Sequence, residues 1–281
     1  MKYNLFTYSI TKYSTTKYFI VILIILILLA FIIKAKYEYF ENDISLNKNN
    51  NINNHNNYKN NNSNDNNNNK YNIYCFWTGD NEMSESRKEC LQDLISVSEC
   101  NVILITKENI QKYILYDNPL HPAFDYLSET HKADYLRTYF MNFYGGGYSD
   151  IKKTTGSWKK SFNDLENSDY WMCGYKEIDG GVAYAPYADK WKELIGNCAY
   201  ICKPKTPLTT EWYSEMINLL DTKLEKLKQF PSKSPQDSSE TGSGYPIEWN
   251  EMLGRIFQKV AYKYKDKLLN TLPISVFSNY R

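Results

Sequence analysis

Sixteen of the twenty-four residues from Asn47 to Lys70 are Asn, and this tract limits what the chain can fold into. Its few apolar side chains offer almost nothing to bury, so an ordered backbone would cost conformational entropy without a compensating gain. We therefore expect a flexible stem over residues 37–70, although an Asn repeat can also accumulate without any function. The residues that follow, 71–281, are enough for one folded domain.

A run of fifteen apolar residues, Phe19 to Ile33, precedes the stem. Lys and Tyr residues flank this run on both sides, as they do at the ends of membrane-spanning helices. We predict a transmembrane anchor over residues 18–36, after a short tail of residues 1–17. A signal peptide is the alternative, but the run lacks a small-x-small cleavage site. A slight excess of Lys before the run favours a single-pass type II protein with its domain in the lumen of an endoplasmic reticulum or Golgi type compartment.

The charge balance of the chain is nearly even, with 33 basic and 32 acidic residues and a formal net charge of +1. A protein held to nucleic acid mainly by a cationic surface would carry a larger excess of Lys and Arg. Nucleic acid is therefore excluded as an expected partner. Aromatic residues make up 16% of the chain, which is enough to build a core.

After the stem, short apolar runs alternate with amphipathic stretches, and this alternation is typical of an α/β domain. We predict a strand over Ile73–Trp77, a helix over Ser84–Ser98 and a second strand over Asn101–Ile105. The helix should turn three apolar side chains inward: Leu91, Leu94 and Ile95. A right-handed strand–helix–strand unit places its ligand crevice beyond the carboxyl ends of its strands, so Thr78 should lie beside a site.

The segment HKADYLRTYFMNFYGGGYSDIKK, residues 131–153, is the most informative part of the sequence. Its apolar residues recur at helical spacing, and the three glycines from Gly145 should end the helix in a sharp turn. Asp134 and Arg137 would then lie on the helix flank, and Asp150 would follow in a short extended segment. An isolated Asp–Arg pair three residues apart is usually an ordinary surface ion pair. Here Asp134, Arg137 and Asp150 can converge at one end of the sheet.

The pattern A-D-Y-L-R-x-Y-x-x-x-x-Y-G-G-x-Y-x-D resembles the donor-sugar region of DXD-containing glycosyltransferases of the GT-A fold. This group includes mannosyltransferases, α-1,4-galactosyltransferases, capsular polysaccharide synthesis proteins and clostridial glucosylating toxins. The resemblance covers roughly residues 72–204 and includes Phe76-Trp77-Thr78-Gly79. It implies a Rossmann-like α/β domain with a mainly parallel central sheet. It also implies a nucleotide-sugar donor, a glycan or glycoprotein acceptor and transfer with retention of configuration.

The same resemblance implies roles for individual residues of the segment. Asp134 and Arg137 would hold the sugar and nucleotide parts of the donor, and Asp150 would be a catalytic residue and a ligand of Mn²⁺ or Mg²⁺. The second Asp of the motif is replaced by Lys152. Lys152 could therefore neutralise the donor diphosphate as a fixed positive charge in place of a metal. The replacement also leaves open a catalytically inactive relative that acts as a sugar-binding or scaffold membrane protein.

Further candidate residues are more weakly indicated. By resemblance, Trp77 and Thr78 would contact the donor, and Asn197 would face it from a strand entered through a Gly196-Asn197 turn. After a polar loop over residues 232–243, Glu248 would be catalytic and Asn250 would bind the donor as a lid closes, together with Trp249. A helix starting after Pro246 would explain these last residues equally well. The six cysteines contain no C-x-x-C pair, so we expect no zinc site, and a few disulfides are compatible with their number.

Overall fold

The computed structural model describes Lys34 and residues 71–280. The predicted stem, and the predicted anchor apart from Lys34, lie outside these residues. Among the residues described, no helix combines the length and the apolar character needed to cross a bilayer. The chain divides into two compact units, and the described part of the first is Lys34 and Leu115–Pro119, where Leu115 and Asn118 form an isolated bridge. The second unit contains residues 71–114 and 120–280, and all the elements below belong to it.

Five helices and six strands make up the regular structure of this second unit over its described residues. The helices are α1 (Glu85–Ser98), α2 (Glu129–Phe143), α3 (Lys159–Glu166), α4 (Pro207–Gln229) and α5 (Gly254–Lys263). The strands are β1 (Asn72–Trp77), β2 (Asn101–Thr106), β3 (Gly146–Ser149), β4 (Met172–Lys176), β5 (Ile195–Cys202) and β6 (Leu268–Leu269). Short 3₁₀ turns lie between them, at Ile110–Tyr113, Phe124–Tyr126, Ala185–Glu193, Ser239–Thr241 and Lys265–Lys267.

The strands form one mixed sheet in the order β2-β1-β3-β5-β4-β6. Strand β1 is parallel to β2 and β3, and β4 is parallel to β6, but β5 is antiparallel to both β3 and β4. The prediction of a mainly parallel sheet is therefore wrong, because β5 is inserted in the reverse direction between β3 and β4. The other strands still point the same way, so the carboxyl ends of β1 to β4 and of β6 meet at one edge of the sheet.

Both faces of the sheet are covered, and this explains why its strands are continuously apolar. Along β1, Tyr74 and Phe76 pack into the core beneath α2, α4 and α5, while Ile73 and Cys75 pack into a second core beneath α1 and α3. The first core is strongly aromatic, and the ring of Phe140 lies 4.9 Å from that of Tyr74. Such edge-to-face pairs add to the stabilisation that comes from burial itself.

Side-chain caps define where the main helices begin. Ser84 caps α1, Ser128 caps α2, and Thr206 forms a reciprocal capping box with Thr209 at the start of α4. Such caps satisfy amide groups that have no partner within the helix. The chain leaves α2 through Gly145, whose φ of 66° and close approach to Pro204 exclude a side chain. These signals explain why α1 and α2 lie where the sequence predicts them.

Several local predictions are wrong. Of the three side chains predicted to face inward from α1, only Leu94 is fully buried. Ile95 faces outward and is 41% exposed. Strand β3 begins at Gly146, so most of the predicted glycine turn is strand, and Gly147 pairs with Ile73 of β1. The sequence left disulfides open, and all six cysteines are free thiols in the structure.

Two further boundaries differ in the second half of the domain. Strand β5 passes straight through Gly196-Asn197, in place of the predicted turn. The ring of Tyr175 fills the space that a side chain at Gly196 would occupy, so this glycine serves packing. Helix α5 begins at Gly254, and the residues after Pro246 form turns, so the alternative of a helix start directly after Pro246 does not hold.

Candidate active site

Five of the predicted residues lie close together at the shared carboxyl edge of the sheet. Asp134 and Arg137 reach this edge from α2, Asp150 follows the last residue of β3, and Asn197 lies near the start of β5. The backbone N–H of Asp150 donates to the Cys198 carbonyl at 2.7 Å, which fixes the chain as it leaves β3. Lys152 follows two residues later. We refer to Asp134, Arg137, Asp150 and Lys152 as the charge cluster.

Arg137 is the centre of the charge cluster. Its Nη2 lies 3.1 Å from Asp134 Oδ1 and 3.5 Å from Asp150 Oδ1, and its Nη1 donates to the Asn197 carbonyl at 3.0 Å. The guanidinium also lies over the ring of Tyr148, 4.3 Å from the centroid. Arg137 and Asp134 are both buried, so the pair is not the ordinary surface ion pair that its spacing alone would indicate. The buried Nε of Arg137 has no hydrogen-bond partner among the described residues.

Asp150 is paired through both of its oxygens. Lys152 Nζ donates to Oδ2 at 2.5 Å, and the Tyr148 hydroxyl donates to Oδ1 at 2.6 Å. Lys152 is itself buried, with its ammonium 4.7 Å from the ring centroid of Tyr280 and 3.5 Å from Cys198 Sγ. The residue in place of the second motif carboxylate is therefore the ion-pair partner of the first.

The two carboxylates of the charge cluster have opposite electrostatic environments. Burial raises the pKa of Asp134 from 3.8 to about 7, and this effect outweighs the attraction of Arg137. Burial also acts to raise the pKa of Asp150, but Lys152 and Arg137 overcome it and hold that pKa well below its usual value. Asp150 therefore stays ionised near neutral pH, while Asp134 exchanges its proton in that range. Carboxylates with separated pKa values are a common feature of functional sites.

The side chains present do not fit a divalent cation held by protein carboxylates. Within the described part of the chain, no group of three or more His, Cys, Asp or Glu side chains is placed to hold a metal. A hard cation binds carboxylate oxygens, but those of Asp150 already accept from Lys152 and Tyr148. The predicted Mn²⁺ or Mg²⁺ stays a prediction.

Trp77 and Thr78 lie at the same edge of the sheet, where β1 ends, but they bond to other groups. The indole N–H of Trp77 donates to the Asn81 carbonyl at 2.8 Å, and the Thr78 hydroxyl donates to Glu129 at 2.9 Å. Neither residue has a hydrogen bond or ion pair to the charge cluster in the part of the chain that the structure describes. Their predicted contact with a donor remains a prediction.

Glu248 and Asn250 form a separate group around Arg255 at the start of α5. The Arg255 guanidinium binds Glu248 through both terminal nitrogens, with Nη1 3.2 Å from Oε1. Arg255 Nε donates to Asn250 Oδ1 at 3.1 Å, and the Asn250 amide donates to the Ala183 carbonyl at 2.9 Å. These contacts give both residues a structural task, so a catalytic role for Glu248 also stays a prediction. Trp249 between them is half exposed.

Sequence reasoning missed two groups that the fold places next to these residues. One is the last described segment of the chain, whose Phe277 and Tyr280 rings lie over the Lys152 ammonium. The other is Glu177, a buried carboxylate at the carboxyl end of β4. Burial raises its pKa. The available signal for Glu177 was a carboxylate two residues after the apolar run from Trp171 to Tyr175, since strand ends form this edge.

Comparison with known proteins supplies a family. The model of the capsular polysaccharide synthesis protein family matches residues 27–196, which is more than half of this 281-residue chain. The chain belongs to this family. The capsular polysaccharide synthesis match includes the whole charge cluster and Glu177, and it stops one residue before Asn197. It confirms one of the resemblances drawn from the sequence.

One solved structure similar to this member of the capsular polysaccharide synthesis family is the PaToxG glycosyltransferase. The two chains share 14% sequence identity with a TM-score of 0.41, and the alignment covers 69% of each. No curated protein matches the chain.

Proposed function

We propose that this chain is a glycosyltransferase of the GT-A fold that moves a sugar from a nucleotide-sugar donor to an acceptor hydroxyl with retention of configuration. Family membership and the motif around Asp150 support this proposal. The acceptor oxygen bonds to the anomeric carbon while the bond from that carbon to the diphosphate breaks. The electron pair stays on the diphosphate, and the acceptor proton passes to a diphosphate oxygen directly or through water.

The charge cluster suits the electrostatics of this reaction. Negative charge develops on the leaving diphosphate, and a fixed cation beside it lowers the barrier. Lys152 and Arg137 are buried cations that need no reorganisation. We propose that these two side chains neutralise the diphosphate and that Asp134 accepts a hydrogen bond from a hydroxyl of the donor sugar.

The observation that carries the proposal is the position of Lys152. A buried ammonium is stable only with strong partners, and Lys152 shares Asp150 with Arg137. An arriving diphosphate would supply both cations with additional acceptors. In this way a single carboxylate and two cations can hold the donor diphosphate, which two carboxylates and a metal hold in the resembled enzymes.

The test is turnover by the purified full-length chain with a panel of UDP- and GDP-sugars, with nucleotide release as the measurement. Lys152→Gln should reduce release about 100-fold or more, because an electrostatic group at the leaving atoms is lost. Lys153→Gln removes the same charge one residue later and should release nucleotide at the wild-type rate. Equal rates for the two variants would contradict the assignment of Lys152. If the wild type releases no nucleotide with any donor, with or without acceptor extracts, the proposed glycosyltransferase activity is wrong.

A second candidate function is an inactive relative that binds sugars or acts as a scaffold. The ion pair of Lys152 with Asp150 favours this second function, since Lys152 occupies the carboxylate of the motif. The same assay separates the two functions when donor binding is measured by calorimetry. Donor binding without release would support the inactive relative.

We also propose the membrane location predicted from residues 18–36, which the described residues do not test. Full-length chain should sediment with membranes after cell lysis, and a chain lacking residues 1–40 should not. Full-length chain in the supernatant would overturn the proposed anchor.

A further inference from the structure

A cavity of about 560 Å³ opens where β4 and β6 end. Residues from three segments line it, among them Tyr175, Glu177, Trp191, Asn270 and Thr271. Strands β4 and β3 run in the same direction with β5 between them, so the cavity lies at the same edge of the sheet as Asp150. Two strand spacings amount to roughly 10 Å along this edge. A donor sugar and an acceptor sugar placed side by side can bridge such a span.

Glu177 presents a fixed carboxylate to this cavity. Its Oε1 accepts from the backbone N–H of Ile178 at 3.0 Å. The following loop folds so tightly over Oε1 that a side chain at Gly181 would overlap it. Oε2 has no hydrogen-bond partner among the described residues, although the residue is only 6% exposed. This unpaired carboxylate oxygen can therefore accept a hydrogen bond from a ligand hydroxyl in the cavity.

Trp191 gives the cavity its aromatic wall. The Lys192 ammonium lies 5.2 Å from the ring centroid of Trp191, and the indole also lines the cavity. A pyranose ring has an apolar face of C–H groups and a rim of hydroxyls. It can therefore pack its apolar face against an aromatic ring while a hydroxyl at its edge donates to a carboxylate. Trp191 and Glu177 supply both groups in one cavity.

Packed side chains connect the cavity with the charge cluster. The Tyr175 ring, which lines the cavity, fills the space above Gly196 of β5. The next residue, Asn197, accepts a hydrogen bond from Arg137 through its carbonyl oxygen. A ligand in the cavity would therefore lie beside the strand that positions Arg137.

We propose that this cavity binds a neutral sugar ring of a glycan acceptor, with Trp191 against the C–H face of the ring and Glu177 accepting a hydrogen bond from one of its hydroxyls. The inference rests on the proposed glycosyltransferase function and names its acceptor class. Glu177 is here a substrate-binding residue that orients the acceptor.

The charges of the cavity favour a neutral occupant. Glu177 and Asp179 place two carboxylates in its wall, and the ammonium groups of Lys176 and of Lys192, which lies over Trp191, offset them. With no excess charge in the wall, a phosphorylated or acidic ligand gains no net attraction and would meet the Glu177 carboxylate as a like charge. A peptide acceptor would be recognised mainly along an exposed strand edge, but β6, the strand beside the cavity, is only two residues long.

The test measures sugar binding without any donor. Full-length chain is mixed with methyl glycosides and disaccharides of glucose, galactose, mannose and N-acetylglucosamine, and saturation-transfer NMR reports which of them bind. For a sugar that binds, Trp191→Ala and Glu177→Gln should each weaken affinity about tenfold or more. Glu177→Gln is nearly isosteric, so it keeps the test valid if Trp191→Ala fails to fold. Two matched controls lie at the opposite end of β4, and both should bind as the wild type does: Tyr170→Ala and Asp169→Asn.

The outcomes separate this inference from the proposed function. Binding that depends on Trp191 and Glu177 supports the cavity, whether or not a donor is cleaved. If the wild type binds none of these sugars, or if both variants bind them normally, the cavity is not an acceptor site. Nucleotide release from a donor in that case would leave the transferase proposal intact with another acceptor class, such as a protein.

Discussion

The ammonium of Lys152 lies 2.5 Å from the carboxylate of Asp150, two residues before it. The substitution that departs from the DXD motif is thus compensated within the motif itself. In the usual motif, a metal ion keeps two neighbouring carboxylates from repelling each other. Here an opposite charge does so, and the backbone N–H of Lys152 also donates to the Asp150 carbonyl at 2.7 Å. The charge cluster is therefore electrostatically balanced without a further ion.

Arg137→Ala should destabilise the domain as well as weaken donor binding. The change leaves Asp134 buried without its partner and removes the hydrogen bond to Asn197, which together should cost about 3–5 kcal/mol. Urea denaturation measures this free energy of unfolding. Arg255→Ala breaks a half-exposed pair with Glu248 and should cost only about 1 kcal/mol or less. Equal costs for the two variants would show that Arg137 contributes no more than a surface pair.

The raised pKa of Asp134 predicts a pH dependence of stability. Its pKa is about 7 in the folded protein against an ordinary value of 3.8, so folding favours the protonated form. The resulting stabilisation is complete below about pH 4 and is lost as the pH rises through about 7. Asp134→Asn lacks this contribution. As the pH rises from about 5 to about 8, the free energy of unfolding of Asp134→Asn should therefore increase relative to that of the wild type.

Urea denaturation at several pH values checks this prediction. Asp169→Asn removes an exposed carboxylate and should follow the wild-type pH profile. Parallel profiles for Asp134→Asn and the wild type would mean that Asp134 is already ionised throughout this range.

Gly196→Ala tests whether this glycine is needed for packing within β5. Its new Cβ would overlap the Tyr175 ring, so either the ring or the strand must move. We expect a loss of about 1–3 kcal/mol or more in the free energy of unfolding. At Gly156 a Cβ would meet only Pro273 at an ordinary 3.6 Å, so Gly156→Ala should change stability by less than about 0.5 kcal/mol. An unchanged free energy of unfolding for Gly196→Ala would show that packing against Tyr175 does not require a glycine here.

The first half of the domain was predictable because its local signals agree with its packing. Strand β1, helix α1 and strand β2 follow the predicted order, and Ser84 caps α1 where the periodic pattern begins. Ile95 was misplaced because apolar spacing alone does not say how wide the buried face of a helix is. The convergence of Asp134, Arg137 and Asp150 was also predicted, since strand ends and helix ends meet at one edge of an α/β sheet.

The second half depends on contacts that the sequence does not show. Gly146 and Gly147 belong to a strand because Asn72 and Ile73 of β1 pack closely against them. The reversed direction of β5 follows from its insertion between β3 and β4, which no local pattern predicts. The burial of Arg137 was missed for a similar reason. A sequence shows which helix face is buried through its apolar residues, whereas Arg137 is buried because Asp150 after β3 and Asn197 of β5 pair with it.

The last prediction concerns the cation that serves the donor diphosphate. If Lys152 and Arg137 supply it, a chelator should leave wild-type turnover unchanged. Lys152→Asp rebuilds the carboxylate pair of the motif and removes one cation, so it should lose about 100-fold or more without metal and recover with added Mn²⁺. Lys153→Asp adds the same charge one residue later and should gain nothing from Mn²⁺. Asp150→Asn removes the carboxylate that holds Lys152 and should lose most turnover with or without metal.

Wild-type turnover that is abolished by the chelator would contradict the role of Lys152 and would show that a metal ion neutralises the diphosphate. Wild-type activity in Asp150→Asn would instead show that the site lies elsewhere.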